Sequence, residues 1–258
     1  MNTQLLQFLI TAVFVSISAS LLGSFVILKR MALVGDALSH VALPGLALGI
    51  IWHFDPFLGA FAFLFIAIVG IWFLKYNTRL PIDTLVGIFF TSSLAIGVLI
   101  IPQQDLLEAM FGNISSLSLS ESILSIILSI VLIVALIAIY KKLTLNLLSE
   151  ELAHSNGIDS RKLEFIYLLI FALAVALGIR FVGALLMGSL VIIPAASAKN
   201  ISRSLKGFML GSVAFGTASS IIGIIVSYRL KMPPGPFFIV ASAVLFVISL
   251  FFRKSRYN

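Results

Sequence analysis

Asp36 and His40 stand four residues apart in an otherwise apolar run: Arg30-Met31-Ala32-Leu33-Val34-Gly35-Asp36-Ala37-Leu38-Ser39-His40-Val41-Ala42-Leu43-Pro44-Gly45. On a helix that spacing puts both side chains on one face. A carboxylate and an imidazole so placed can offer two ligands to a divalent cation. Oxygen and nitrogen donors suit zinc, manganese or iron better than copper(I), which prefers sulfur. Pro44 has no N–H to give to the carbonyl of His40, so that oxygen is open to water or an ion, as in many transport helices. The competing reading is an internal Asp–His hydrogen bond, with Pro44 and Gly45 kinking the helix for packing. At about 1.5 Å per residue from Arg30, Asp36 lies roughly 9 Å and His40 roughly 15 Å deep. An ionised Asp buried in hydrocarbon costs about 2.5–3.5 kcal/mol on the most lenient scale, so such residues face a cavity or a partner. Two ligands do not complete a site; a two-fold dimer with these helices facing its axis would supply four.

The rest of the chain says what must hold these residues. Of 258 residues, 60% are apolar and 10% charged, and the mean hydropathy is +1.18. Soluble domains carry about 25% charged residues, so lipid is the main solvent here. The net charge of +7 therefore reflects charge placement across a membrane rather than nucleic-acid binding. With no cysteine, disulfides and thiolate metal sites are excluded. Met1-Asn2-Thr3-Gln4 lacks the basic start of a signal peptide, so the first apolar run is expected to stay. There is no G-x-x-x-x-G-K-[ST] phosphate loop, no H-E-x-x-H and no G-x-S-x-G. ATP hydrolysis, if it drives this protein, belongs to other chains.

A spanning helix needs about 20 apolar residues. Candidate spans are 5–28, 32–52, 56–74, 82–101, 121–140, 164–179, 181–198, 207–228 and 236–252. The fold expected is an all-α polytopic transmembrane bundle of about nine spans, with eight or ten as alternatives, forming a single domain over 1–258. With the N-terminus outside and a hairpin at Arg180, 14 basic residues fall inside and three (Arg180, Arg229, Lys231) outside, as the positive-inside rule requires. The C-terminus is then cytoplasmic.

Other candidates lie at the span ends. A cytoplasmic loop at about 141–163 carries Glu150, Glu151, Ala153 and Gly157, the E-x-A-x-x-x-G spacing of a short helix closed by glycine. It reads either as a docking element or as a plain amphipathic connector. His53, Asp55, Asp105, Glu108 and Asn113 would form a mildly acidic outer mouth that attracts cations, or merely wet their loops. Asp83, Thr84 and Thr91-Ser92-Ser93 are possible pathway groups, although Ser and Thr often bond back to helical carbonyls. Pro233-Pro234-Gly235-Pro236 reads as a rigid turn.

The stretch Gly23 to Gly45 resembles the permease family of zinc, manganese and iron-chelate ABC importers. So do Pro81 to Ile88, Met110 to Ile114, Glu150 to Ile158, Phe181 to Ala198 and Pro233 to Pro236. The resemblance runs nearly end to end. It implies a homodimeric or pseudo-dimeric permease in a prokaryotic cell membrane, with two cytoplasmic ATPase subunits and an extracytoplasmic metal-binding protein. It places Asp36 and His40 at the family's metal position and makes Glu151–Gly157 the ATPase-coupling segment. It further implies alternating access, with zinc or manganese as cargo and no intrinsic cofactor. A proton-coupled secondary metal carrier titrating on Asp36 is the alternative, and a membrane enzyme the third reading.

Overall fold

The structure is a computed structural model and describes residues 3–100, 110–111 and 118–252. Apolar segments in hydrocarbon must satisfy their backbone N–H and C=O groups internally, so they fold as helices. Among the described residues the helices are α1 Thr3–Leu28, α2 Ala32–Val41, α3 Leu43–Ile51, α4 Pro56–Asn77, α5 Ile82–Ile100 and α6 Leu119–Leu148, followed by α7 Glu150–Ser155, α8 Ser160–Val182, α9 Met187–Ile201, α10 Leu205–Leu230 and α11 Pro234–Phe251. Eight segments are long and apolar enough to cross a membrane: α1, α2 with α3, α4, α5, α6, α8, α10 and α11. The protein is a multi-pass helical bundle. The ninth expected span, 181–198, is occupied by α9, which has 15 residues and an internal Pro194; its length is only about 22 Å.

Two expected boundaries move. The hairpin expected at Arg180 lies later, because α8 continues through Arg180 to Val182 and the chain turns after it. Gly183 has φ +83°, and its backbone lies so close to the Met110 carbonyl that no Cβ would fit. The connection expected over 141–163 is also smaller. α6 runs 30 residues, about 45 Å against a hydrocarbon core of about 30 Å, and its last two turns absorb 141–148.

Glycine and serine set how closely the helices pack, as is usual where lipid removes the hydrophobic drive between them. Gly23 lets α1 meet the Val191 carbonyl of α9, Gly45 and Gly59 meet backbone to backbone where α3 crosses α4, and Gly216 of α10 lies over Ser20 of α1. Ser24 Oγ and Ser212 Oγ bond across the α1–α10 contact at 2.9 Å. α6 and α11 turn Ile127, Val131, Val134, Val240 and Val244 outward, the faces that lipid would cover.

Candidate functional site

The second span is not one helix. α2 ends at Val41, Ala42 joins it to α3, and Pro44 stands in the first turn of α3, where its missing N–H costs least. The His40 carbonyl, expected to be open, faces the Ala42 N–H instead. The break follows His40 by two residues, so the candidate pair sits at the end of a half-helix.

Asp36 and His40 do share a face, with Leu33 one turn before them. That face points out of the protomer: Leu33 is 81% exposed and Asp36 is exposed. Among the described residues the Asp36 carboxylate makes no hydrogen bond or ion pair, so the internal Asp–His bond is not formed. His40 is half-buried, its ring edge-on to Phe90 of α5 at 5.3 Å. Its Nδ1 is buried without a hydrogen-bond partner, an arrangement that costs about 1–3 kcal/mol if nothing else satisfies it. The neighbour on the other side is Gly188 in the first turn of α9. A Cβ there would lie 2.7 Å from Asp36 Oδ1 and 2.8 Å from Asp36 Cα, so only glycine lets α9 pass beside the carboxylate. Two ligand types therefore stand at the protomer surface, between α5 and α9. No group of three or more metal-ligating side chains forms among the described residues.

The other sequence candidates are not gathered here. Among the described residues, Asp83, exposed in the first turn of α5, forms no hydrogen bond with Asp36 or His40. Thr91 Oγ1 donates to the Gly87 and Ile88 carbonyls of its own helix, so it is bonded back rather than lining a path. Asp105, Glu108 and Asn113 lie outside the described residues. Asp55 is not free to attract cations. It caps α4 by accepting from the Phe57 N–H at 2.8 Å and pairs with Arg180 Nη2 at 2.8 Å.

That Arg180 pairing was missed by reading the sequence. The same Nη2 reaches Glu121 Oε1 at 3.0 Å, and the guanidinium side chain is only 17% exposed. Glu121 closes the capping box of α6 with Ser118, and Gln7 of α1 donates to Ser122 Oγ at 2.7 Å. One end of the bundle thus ties α1, α4, α6 and α8 together.

At the opposite end stands a second buried group that sequence reading missed. Glu164 of α8 accepts from Lys75 Nζ and from Tyr76 Oη at 2.7 Å, both on α4. Arg161 lies over the Tyr76 ring at 4.7 Å, and Trp72 Nε1 donates to the Arg161 carbonyl at 3.2 Å. Lys29, just past α1, sits over the Tyr167 ring at 4.4 Å; burial pushes its ammonium pKa down, against the pull of nearby Glu164. Beside this group lies α7. Ser149 caps it, Glu150 and Glu151 are exposed in its first turn, and Ala153 is fully buried. Gly157 closes it with φ +73°. The short glycine-closed helix expected from the spacing is present, with Ala153 turned inward and the two glutamates outward.

Comparison with known proteins gives a consistent result. The sequence profile of the ABC 3 transport family matches residues 1–253. The chain is 35% identical over 251 residues to the high-affinity zinc uptake system membrane protein ZnuB of Haemophilus influenzae, covering 95% of this chain and 96% of that one. It is 34% identical over 255 residues to the manganese import system permease protein ScaB of Streptococcus parasanguinis, covering 97% and 91%. The fold superposes on a chain from the complex of PsaBC of Streptococcus pneumoniae with a Fab. There the TM-score is 0.88 at 31% identity, covering 100% of this chain and 95% of that chain.

Proposed function

The chain belongs to the ABC 3 transport family, and from that premise we propose that it is the permease subunit of an ATP-driven importer carrying zinc or manganese into the cytoplasm. The observation that carries this reading is the Asp36–His40 face: an unpaired carboxylate and a buried, unpartnered imidazole nitrogen, together at a helix break inside a membrane span. Relatives named for zinc and for manganese transport agree with an oxygen and nitrogen donor set, which serves either ion. The function is transport, not catalysis.

An ionised carboxylate on an exposed face of a spanning helix must be covered by something other than lipid. A second copy of the chain, related by a two-fold axis along the α2 and α5 faces, covers Asp36 and brings a second pair of ligands. The distribution of basic residues supports an N-terminus outside and a C-terminus in the cytoplasm of a prokaryotic cell, with the short α9 returning the chain as a ninth pass, and puts α7 on the cytoplasmic side. There α7, with Glu150 and Glu151 outward, docks on the ATPase subunits, while an extracytoplasmic binding protein delivers the ion to the opposite face. Closure of the ATPases then opens the Asp36–His40 pair alternately to each side.

The test is uptake in proteoliposomes holding the permease with its ATPase subunits. Asp36→Ala and His40→Ala are expected to lower zinc and manganese uptake at least about tenfold, the loss of a ligand or an ion-facing charge, with ATPase subunits still bound. Uptake at the wild-type rate in both variants would remove the site. Metal uptake by the permease alone, without ATPase subunits, would show a secondary carrier instead.

A further inference from the structure

α7 and α8 are joined by residues 156–159 alone, so any displacement of α7 is handed directly to the start of α8. The inward stripe of α8 runs Glu164, Tyr167, Phe171 at steps of three and four residues, one continuous face. Glu164 is held to α4 by Lys75 and Tyr76. Tyr167 and Phe171 are fully buried and in ring contact at 6.1 Å. Phe171 reaches α2 at Gly35: a Cβ added there would stand 3.2 Å from Phe171 Cζ. The ring tip occupies the space that glycine leaves, and Gly35 is the residue before Asp36.

We infer that Phe171, seated on Gly35, is a positioning residue through which movement of α7 reaches Asp36 and His40. The inference rests on the permease reading and adds to it the contact that links the docking helix to the ion site. Packed interiors are close to incompressible, so a buried ring against a bare backbone passes on a shift. From Glu164 to Phe171 the stripe rises seven helical steps, about 10 Å along the axis. Removing the ring tip leaves slack: α8 moves and α2 does not follow.

The experiment uses the permease with its ATPase subunits in proteoliposomes and reads two quantities, ATP hydrolysis and zinc or manganese carried per ATP. Phe171→Leu is expected to leave hydrolysis within about twofold and to lower metal per ATP roughly fivefold or more, within the range of coupling contacts. Gly35→Ala in the Phe171→Leu background puts a methyl where the ring tip was and recovers at least about half of the loss. Gly35→Ala alone crowds the ring and lowers metal per ATP, a second variant that needs no cavity. Wild-type metal per ATP in both single variants, or a loss in Phe171→Leu that Gly35→Ala deepens, would overturn the inference alone. A wild-type complex that carries no metal on ATP would overturn the permease reading and this inference with it.

Discussion

Arg30, His53 and Lys231 sit in the left-handed region at φ 58°, 54° and 54°, each just past the end of a helix. In each case the next residue's N–H bonds five back: Met31 to Val26, Phe54 to Gly49, Met232 to Ser227. This is the Schellman closure that glycine normally makes, and Gly157 makes it for α7. A Cβ in this conformation costs roughly 1–2 kcal/mol, while glycine loses about 0.5–1 kcal/mol more chain entropy. His53→Gly and Lys231→Gly are therefore expected to stabilise the protein by roughly 0.5–1 kcal/mol each, seen as a higher unfolding midpoint in detergent. Gly157→Ala should act in the opposite sense by about 1 kcal/mol and loosen α7. A lower midpoint in both glycine variants would refute the argument. Asp36 and His40 stood out in the sequence because an Asp in an apolar run is costly wherever it points. Glu164 was not, because its partners Lys75 and Tyr76 lie 89 and 88 residues away and an isolated Glu near a basic pair reads as a solvated span end. Gly188 was equally hidden: its role exists only once α9 lies against Asp36.

At the scale of elements, α8 shows where hydropathy stops being informative. The apolar run suggests 164–179, yet the helix is Ser160–Val182, because both charged ends are satisfied locally. Arg180 has its two carboxylates, Arg161 its aromatic ring, and Asp159 caps the N-terminus. The Asp159 carboxyl is held below the ordinary carboxylate range, first by the Lys162 backbone N–H, then by the Lys162 side chain and the Arg161 N–H. A depressed folded pKa means that the cap's contribution is present above the ordinary value near 3.8 and lost as pH falls through the folded value. At neutral pH, Asp159→Ala should speed amide exchange at Arg161 and Lys162, while Asp159→Asn, still an acceptor, changes it less and removes the acid dependence. Exchange in the Ala variant at the wild-type rate would show that the cap does not hold this turn. The eight long spans were readable because each needed only length and apolar content. α9 is short, carries Pro194 and lies among other helices, so its limits come from packing.

For the whole molecule, the exposed faces divide by chemistry. α6 and α11 present Ile, Val and Leu, which lipid satisfies. α2 presents Asp36 beside Leu33, and α5 presents Asp83, Thr84 and Ser92; lipid does not satisfy these polar groups. The chain has no cysteine, so single cysteines report contact without background. Leu33→Cys is expected to give a cross-linked dimer in membranes treated with a short bifunctional maleimide, and Val240→Cys, on the face of α11, to stay monomeric. The reverse pattern would place the second copy elsewhere. Composition announced a membrane protein with an internal charge in need of cover; which side of the bundle needed it became visible only when the helices were set beside one another.

The cluster around Arg180 has a mechanical corollary. It fastens four helices at one end, and α8, at 23 residues, extends about 34 Å away from it. A rod hinged at its tip turns a small angle into a large sweep: a tilt of about 10° carries the far end roughly 6 Å over that length. Glu164 rides near that far end and is tied to α4 through Lys75 and Tyr76, so in the permease reading a modest push on α7 works with leverage on α4 and α8 together, and the pinned tip keeps the rim around Arg180 nearly still.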